Sequence, residues 1–182
     1  MNMLVGSRIR LRPIERSEIP LLAGWFNDHE ITQWIQAVYP MTLGEEERWY
    51  DQMLQRPPEL HPLMIDISTP DGWLPIGDCG FNQLSWVNRS AEVGIVIGEK
   101  RFWGQGYGRD ALRLLLRFGF NTLNLNRISL LVHADNIRGI RSYEKAGFVH
   151  EGRERQGVYK NGEYKDVLIM SVLRSEWEDG KI

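Results

Sequence analysis

Trp103-Gly104-Gln105-Gly106-Tyr107-Gly108-Arg109-Asp110 divides a chain of 182 residues into two halves of different character. On its N-terminal side three segments read as strands: Leu63–Ser68, Leu74–Leu84 and Ala91–Gly98. Asp71-Gly72 marks a hairpin between the first two. On its C-terminal side Ala111, Leu112, Leu114, Leu115, Leu116, Phe118 and Phe120 form an apolar helix that ends near Asn121. Alternating glycines at such a strand-to-helix junction let consecutive backbone N–H groups point into one concavity. The helix N-terminus adds unpaired donors and partial positive charge, so the turn can cradle a phosphate or pyrophosphate. Its bland alternative is a flexible glycine-rich loop.

Working outward, Ile128–Val132 reads as a short buried strand, and Asn136 to Lys145 as a helix ended by Gly147. Phe148-Val149 starts another strand, Asn161-Gly162 marks a tight turn, and Val167–Leu173 is a last apolar strand. Toward the N-terminus, Arg8–Ile14 alternates charged with apolar residues as a half-buried strand does. Ser17 offers an N-cap for a helix carrying Ile19, Leu21, Leu22, Trp25 and Phe26. Thr42 with Glu45 matches a capping box, opening a helix through Trp49, Met53 and Leu54 that stops before Pro57-Pro58. The order is strand, two helices, three strands, helix, strand, helix, two strands. That is a mixed α+β domain around one sheet, spanning residues 1–182 without an internal linker or repeat.

Composition narrows the function. Hydrophobic residues make up 42% and charged residues 25%, which suits a soluble globular chain and excludes collagen, coiled coil and disorder. The 22 Lys+Arg against 24 Asp+Glu give a net charge of −2, which argues against a dedicated nucleic-acid binder. No stretch of about 18 apolar residues predicts a membrane span, and the N-terminus carries no signal-peptide core. Cys79 is alone, so no internal disulfide forms, and a reducing, cytoplasmic setting fits. His29, His61, His133 and His150 lack any metal-binding spacing, so no metal is expected.

Known nucleotide loops fit the glycine turn poorly. A Walker A loop needs Gly-Lys-Ser/Thr where Gly108-Arg109-Asp110 stands, and the dinucleotide fingerprint needs a third glycine at Arg109. The turn instead resembles the acyl-CoA pyrophosphate loop of the GNAT superfamily of N-acetyltransferases, Q/R-x-x-G-x-G/A. Arg101-Phe102-Trp103-Gly104-Gln105-Gly106 satisfies that pattern literally. A second register aligns Gln105-Gly106-Tyr107-Gly108 with the family's K-G-x-G and puts Trp103 in place of Gln or Arg. Asn136-Ile137-Arg138-Gly139-Ile140-Arg141-Ser142-Tyr143-Glu144-Lys145-Ala146-Gly147-Phe148 is similar to the family's N-x-x-A/S-x-x-x-Y-x-K-x-G-F, with Gly139 replacing Ala or Ser. The seven-residue spacing puts Asn136 and Tyr143 on one side of a helix. The branch resembled includes ribosomal-protein-alanine and spermidine acetyltransferases.

That resemblance implies a mostly antiparallel sheet with a splayed strand pair and flanking helices. It also implies acetyl-CoA as co-substrate, a primary amine as acceptor, and direct attack in a ternary complex. Gly104, Gln105, Gly106, Tyr107, Gly108 and Arg109 would hold the pyrophosphate, with Asn136 beside the cofactor. Main-chain groups of the Ala91–Gly98 strand, Val96 and Ile97 among them, would pair with the pantetheine arm as an added strand does. A bulge near Gly94 or Gly98 would open the slot. An alkyl ammonium must lose a proton before attack, and Glu92, acting through water, is the candidate base. Tyr143 occupies the position from which the family protonates the leaving thiolate.

The acceptor stays open between a small cationic amine, such as a polyamine or amino-sugar, and the N-terminal amine of a peptide or ribosomal protein. Asp28, Glu30 and Glu45–Glu47 fall in helices expected to form the acceptor mouth and lean toward the cation. Trp25, Trp34, Trp49 and Trp73 are candidate pocket walls as well as core residues. A non-catalytic acyl-CoA-binding module is a further class, and would show Tyr143 and Glu92 turned away from the slot. A homodimer is compatible with all of these.

Overall fold

The computed structural model describes residues 4–36 and 39–177. Seven strands form one sheet: β1 (Ile9–Pro13), β2 (Leu63–Thr69), β3 (Gly72–Ser85), β4 (Ser90–Ile97), β5 (Arg127–His133), β6 (Val149–Lys160) and β7 (Glu163–Leu173). Their spatial order is β1-β2-β3-β4-β5-β7-β6. Every neighbouring pair is antiparallel except β4 and β5. Five helices complete the fold: α1 (Ile19–Phe26), α2 (His29–Thr32), α3 (Leu43–Met53), α4 (Tyr107–Asn121) and α5 (Ile137–Ala146).

Strand alternation sends side chains to two different cores. Ile65, Phe81, Val93, Ile128 and Leu130 face α4 and α5, where Leu112, Leu115, Leu116 and Phe120 cover them. Met64 and Val96 face the other way and pack with Ile19, Leu22, Trp25, Tyr50 and Met53 of α1 and α3. The sheet is therefore covered on both faces over its centre, and β3–β4 are embedded in the middle.

The predicted elements are found with local differences. Thr42 and Glu45 make the reciprocal capping box that opens α3. Ser17 does not cap α1; it lies in a 3-10 turn, Arg16–Glu18, whose own box pairs Glu15 with Glu18. The side chain of Glu18 also binds Arg12, and this tie to β1 outweighs the local serine cap. The four-residue α2 is too short to leave a periodic signature. The last strand starts at Glu163 rather than Val167, because Asn161 and Gly162, both at positive φ, close a tight hairpin directly onto it.

The predicted splay is present, by a different device. β4 pairs with β5 only at Ser90, Ala91 and Glu92, against Arg127, Ile128 and Ser129. Beyond Glu92 the two strands diverge. No bulge accompanies this at Gly94 or Gly98, since β4 stays in unbroken register with β3 from Glu92 to Ile97. The irregularity lies instead between Asn82 and Ser85, where Gln83 has a φ of 46°. Gly98 instead permits close packing, because a Cβ there would overlap the Trp25 indole, which lies directly over the end of β4. Gly98→Ala should push that ring off and lower the unfolding free energy by about 1–3 kcal/mol, the usual cost of overpacking a core. Urea titration should show a reduced midpoint with an unchanged slope.

Candidate active site

The diverging strands leave a slot with an open cavity on each side. One cavity, about 700 Å³, lies between β4, the start of α4 and the start of α5. Gly104, Gln105, Gly106, Tyr107, Gly108, Arg109 and Asn136 all line it, as do Val96, Ile97 and Tyr143. Gly104 and Gly106 have φ of 74° and 83°, the left-handed conformation that only glycine adopts without strain. Gly106 is the N-cap of α4, so the first amides of that helix open into the cavity without side-chain capping.

Two guanidinium groups flank this turn, and both are steered by Asp110. Arg8 donates from Nε to Asp110 Oδ2 at 2.6 Å and from Nη2 to the Gln105 carbonyl at 3.0 Å. Arg109 Nε donates to Asp110 Oδ1 at 3.0 Å. Arg8 also stacks on Tyr107, 4.4 Å from the ring centroid. Arg109, Arg138, Arg141 and Lys145 line the cavity with no acid among its lining residues, so positive charge is concentrated there. The sequence shows Arg8 only as part of a strand; nothing local reveals that β1 delivers it to a loop in the other half of the chain.

The geometry chooses between the two motif registers. Arg101 lies outside the cavity, paired with Glu99 at 3.4 Å and stacked on Phe102. Trp103 lines the cavity, and its Nε1 donates to the Ile97 carbonyl at 2.7 Å. That bond reveals which main-chain groups face the slot. The carbonyls of Ile97 and Ala91 point away from β3, toward Trp103 and Ser129 respectively. By alternation Val93 and Ile95 do the same, while Val96 turns its main chain to β3 opposite Asp78. The backbone open to a cofactor arm therefore belongs to Val93, Ile95 and Ile97; Val96 contributes only its side chain, a correction to the sequence expectation.

Asn136 caps α5, its Oδ1 accepting from the Gly139 amide at 3.0 Å. A Cβ at 139 would come within 2.7 Å of Asn136 Nδ2, which accounts for glycine where the family pattern has Ala or Ser. Two turns on, Tyr143 reaches the point where both cavities meet and lines each of them. Burial pushes its hydroxyl up to about 12. Among the described residues no protein group hydrogen-bonds that hydroxyl.

The second cavity, about 660 Å³, opens on the α1–α3 face. Glu92 lines it, half-buried, with its carboxyl raised above the ordinary value by burial. Neither Glu92 nor Tyr143 is turned away from the slot. Trp34 and Trp49 form walls, whereas Trp25 belongs to the core beneath and Trp73 stacks under Arg10 elsewhere. The acids expected at the mouth are otherwise engaged. Asp28 pairs with Lys100 at 2.7 Å, Glu30 pairs with the same ammonium, and Glu45 is the α3 capping residue. Glu47 does not line the cavity. Asp78 on β3 lines this cavity, as does Glu154 on β6, whereas Glu46 of α3 is buried and lines neither cavity. His133 also lines this side, and burial lowers its pKa toward a neutral imidazole.

An acetyltransferase (GNAT) domain family model matches residues 8–149. The chain is 28% identical over 174 residues to a spermidine N(1)-acetyltransferase of Vibrio cholerae, covering 95% of this chain and 97% of that protein. It is 37% identical over 105 residues to a putative ribosomal N-acetyltransferase of Bacillus subtilis, 58% of this chain and 57% of the relative. The crystal structure of spermidine N-acetyltransferase from Vibrio cholerae in complex with CoA and spermine superposes with a TM-score of 0.84 at 26% identity, over 94% and 98% of the two chains. The chain belongs to the GNAT acetyltransferase family, and that membership makes it an acyl-CoA-dependent N-acetyltransferase. No described helix is long and apolar enough to cross a membrane, and no cluster of metal-ligating side chains occurs among the described residues.

The glycine cradle is testable directly. A side chain at 106 would be strained at a φ of 83°, and its Cβ would stand 3.0 Å from Arg8 Nη2, in the space between amides and guanidinium. Gly106→Val should weaken CoA binding by at least about 100-fold, roughly 2.7 kcal/mol, in calorimetric titration. Unchanged affinity would remove the cradle from the site.

Proposed function

We propose that this protein moves the acetyl group of acetyl-CoA to the primary amine of a small cationic acceptor in a ternary complex. The observation that carries the reading is the slot itself. A cationic, amide-lined cavity and an acid-lined cavity lie on opposite sides of one sheet and meet at Tyr143. The residues present suit a coenzyme A arm: unpaired α4 amides with Arg109, Arg138 and Arg141 for the phosphates, and outward main-chain groups of Ile95 and Ile97 for amides of the pantetheine. Acetyl-CoA, when bound, supplies the thioester. The protein supplies alignment, which converts an encounter of two reactants into one oriented event.

Two proton movements remain for side chains. Glu92, ionised, takes a proton from the entering ammonium, directly or through one water, and leaves a nucleophilic amine. Tyr143 gives its phenolic proton to the departing sulfur and is reprotonated from the acylated nitrogen. With its hydroxyl at about 12, Tyr143 stays protonated through the working range and acts as donor rather than base. Glu92 must be ionised to act, so activity should fall as pH drops through its raised value.

Asp78, Glu92 and Glu154 outnumber Arg56 and Lys160 around this cavity, which supports a cation over the uncharged backbone groove that a peptide N-terminus requires. Similarity to a spermidine N(1)-acetyltransferase supports the same choice, and similarity to a putative ribosomal N-acetyltransferase keeps the peptide as the competing acceptor. The setting we infer is the cytoplasm, where the buried, unpaired Cys79 stays reduced.

Tyr143→Phe should lower kcat by roughly 10²–10⁴ with CoA affinity unchanged, the range for a lost general acid. A loss under about threefold would make Tyr143 structural. Glu92→Gln should lower kcat/KM and abolish its acidic limb. With acceptors compared at low and moderate salt, spermidine should outperform an Ala- or Ser-starting peptide, and its KM should rise with salt as screening grows. Preference for the peptide without a salt effect would overturn the small-cation reading.

A further inference from the structure

The glycine turn sets the fold a problem of its own. Gly104 and Gly106 reach positive φ because they lack a Cβ, and for the same reason they are the residues freest to leave it. A loop that orders only when its ligand arrives loses affinity to the ordering of its own backbone. A brace from outside the turn removes that loss, and one side chain is placed to act as one.

Arg8 lines neither cavity. Its own carbonyl accepts from the Ser68 amide at 2.9 Å, which fixes its main chain beside the start of β1. From there the guanidinium meets a turn 97 residues further along the chain at successive positions. Nη2 donates to the Gln105 carbonyl at 3.0 Å. The missing side chain of Gly106 leaves room for it, since a Cβ there would stand 3.0 Å from Nη2. The guanidinium lies 4.4 Å from the centroid of the Tyr107 ring, and Nε donates to Asp110 Oδ2 at 2.6 Å. Asp110, its side chain 14% exposed, is held through its other oxygen by Arg109.

The bond to the Gln105 carbonyl decides where the next amide points. The Gln105–Gly106 peptide is trans and planar, so its C=O and its N–H lie on opposite sides. With the carbonyl turned to Arg8, outside the cavity, the Gly106 N–H is turned the other way. Gly106 lines the cofactor cavity, and among the described residues no acceptor takes its amide. We propose that Arg8 is a positioning residue of the cofactor site, locking the Gln105–Gly106 peptide so that the Gly106 N–H is aimed at a bound pyrophosphate. Asp110 is the clamp that sets the guanidinium, and neither side chain touches the ligand. Paired with that carboxylate, Arg8 adds little net field of its own; its effect is on the backbone. The ligand's identity rests on the coenzyme A reading; the orientation of the peptide does not.

The competing role for Arg8 is that of a simple charge, and two variants separate the roles. Asp110→Asn removes a negative charge beside a polyanion site, so Coulomb attraction by itself would tighten CoA binding. Release of the clamp has the opposite sign: CoA affinity should be at least about threefold weaker in calorimetric titration. Arg8→Lys keeps the charge, but a single ammonium cannot serve Asp110, the Gln105 carbonyl and the Tyr107 face together. It should bind CoA about tenfold more weakly than the unmodified protein, and Arg8→Met at least as weakly. In steady-state kinetics the loss should fall on KM for acetyl-CoA rather than on kcat at saturation. Tighter or unchanged CoA binding by Asp110→Asn overturns the proposal, and so does unmodified affinity in Arg8→Lys. A fall in kcat that matches the fall in kcat/KM overturns it as well, because it marks a general disturbance of the fold. If Arg8→Met does not fold, the two milder variants still decide. CoA bound alike by the unmodified protein and the variants removes this role alone, whereas no CoA binding by the unmodified protein removes the coenzyme A reading together with it.

Discussion

Everything functional depends on β4 and β5 staying paired for only three residues. A sheet normally satisfies its backbone by continuing the ladder, and buried amides and carbonyls left alone are costly. Here β4 runs on for five residues beyond the last pairing with β5, toward a partner strand that has turned away. One of the exposed carbonyls, that of Ile97, is satisfied by the Trp103 indole. The remainder of that edge is a row of unpaired main-chain groups inside the protein, which an extended amide-bearing molecule can complete. The slot is therefore both an opening through the sheet and a template for what fills it.

The same divergence sorts the electrostatics. On one side the chain supplies helix amides and two guanidinium groups, fixed in place by a single shared carboxylate, Asp110. On the other it supplies the carboxyls of Asp78, Glu92 and Glu154, with Arg56 and Lys160 among the walls. A net charge of −2 conceals this polarity, because the opposing fields cancel in the sum. Across the slot, one cavity is lined by cations without an acid and the other by charges of both signs. Tyr143 stands between them, its hydroxyl common to both sides.

Local chemistry carried much of the site into view from the sequence. Gly104 and Gly106 were legible because the strand-turn-helix junction resembles the GNAT loop, and both do take positive φ. Asn136 and Tyr143 came into view through the resemblance of their segment to the GNAT pattern, with helical spacing putting both on one side. Arg8 and Asp78 were not legible, since each gains its place from neighbours far away in the chain. Arg8 reads as an exposed strand residue until β1 packs beside the start of α4. Glu46 reads as one of three first-turn glutamates, and only the rotation of α3 buries it while leaving Glu47 exposed. The visible acids, Asp28 and Glu30, mislead for the same reason: Lys100, remote in sequence, neutralises them.

By itself the sequence determined seven strands, four of the five helices, their order, the mixed α+β class and the glycine-rich turn that opens α4. These follow from short-range rules: side-chain period, capping residues, and the backbone freedom of glycine at a few positions. Tertiary structure alone decided where β4 leaves β5, which register of the glycine motif holds, which main-chain groups of β4 stay open, and which carboxylates are left without a cation. Those outcomes depend on pairing and burial between segments distant in the chain, where Coulomb and desolvation terms are set by what happens to lie alongside, and no local pattern encodes them.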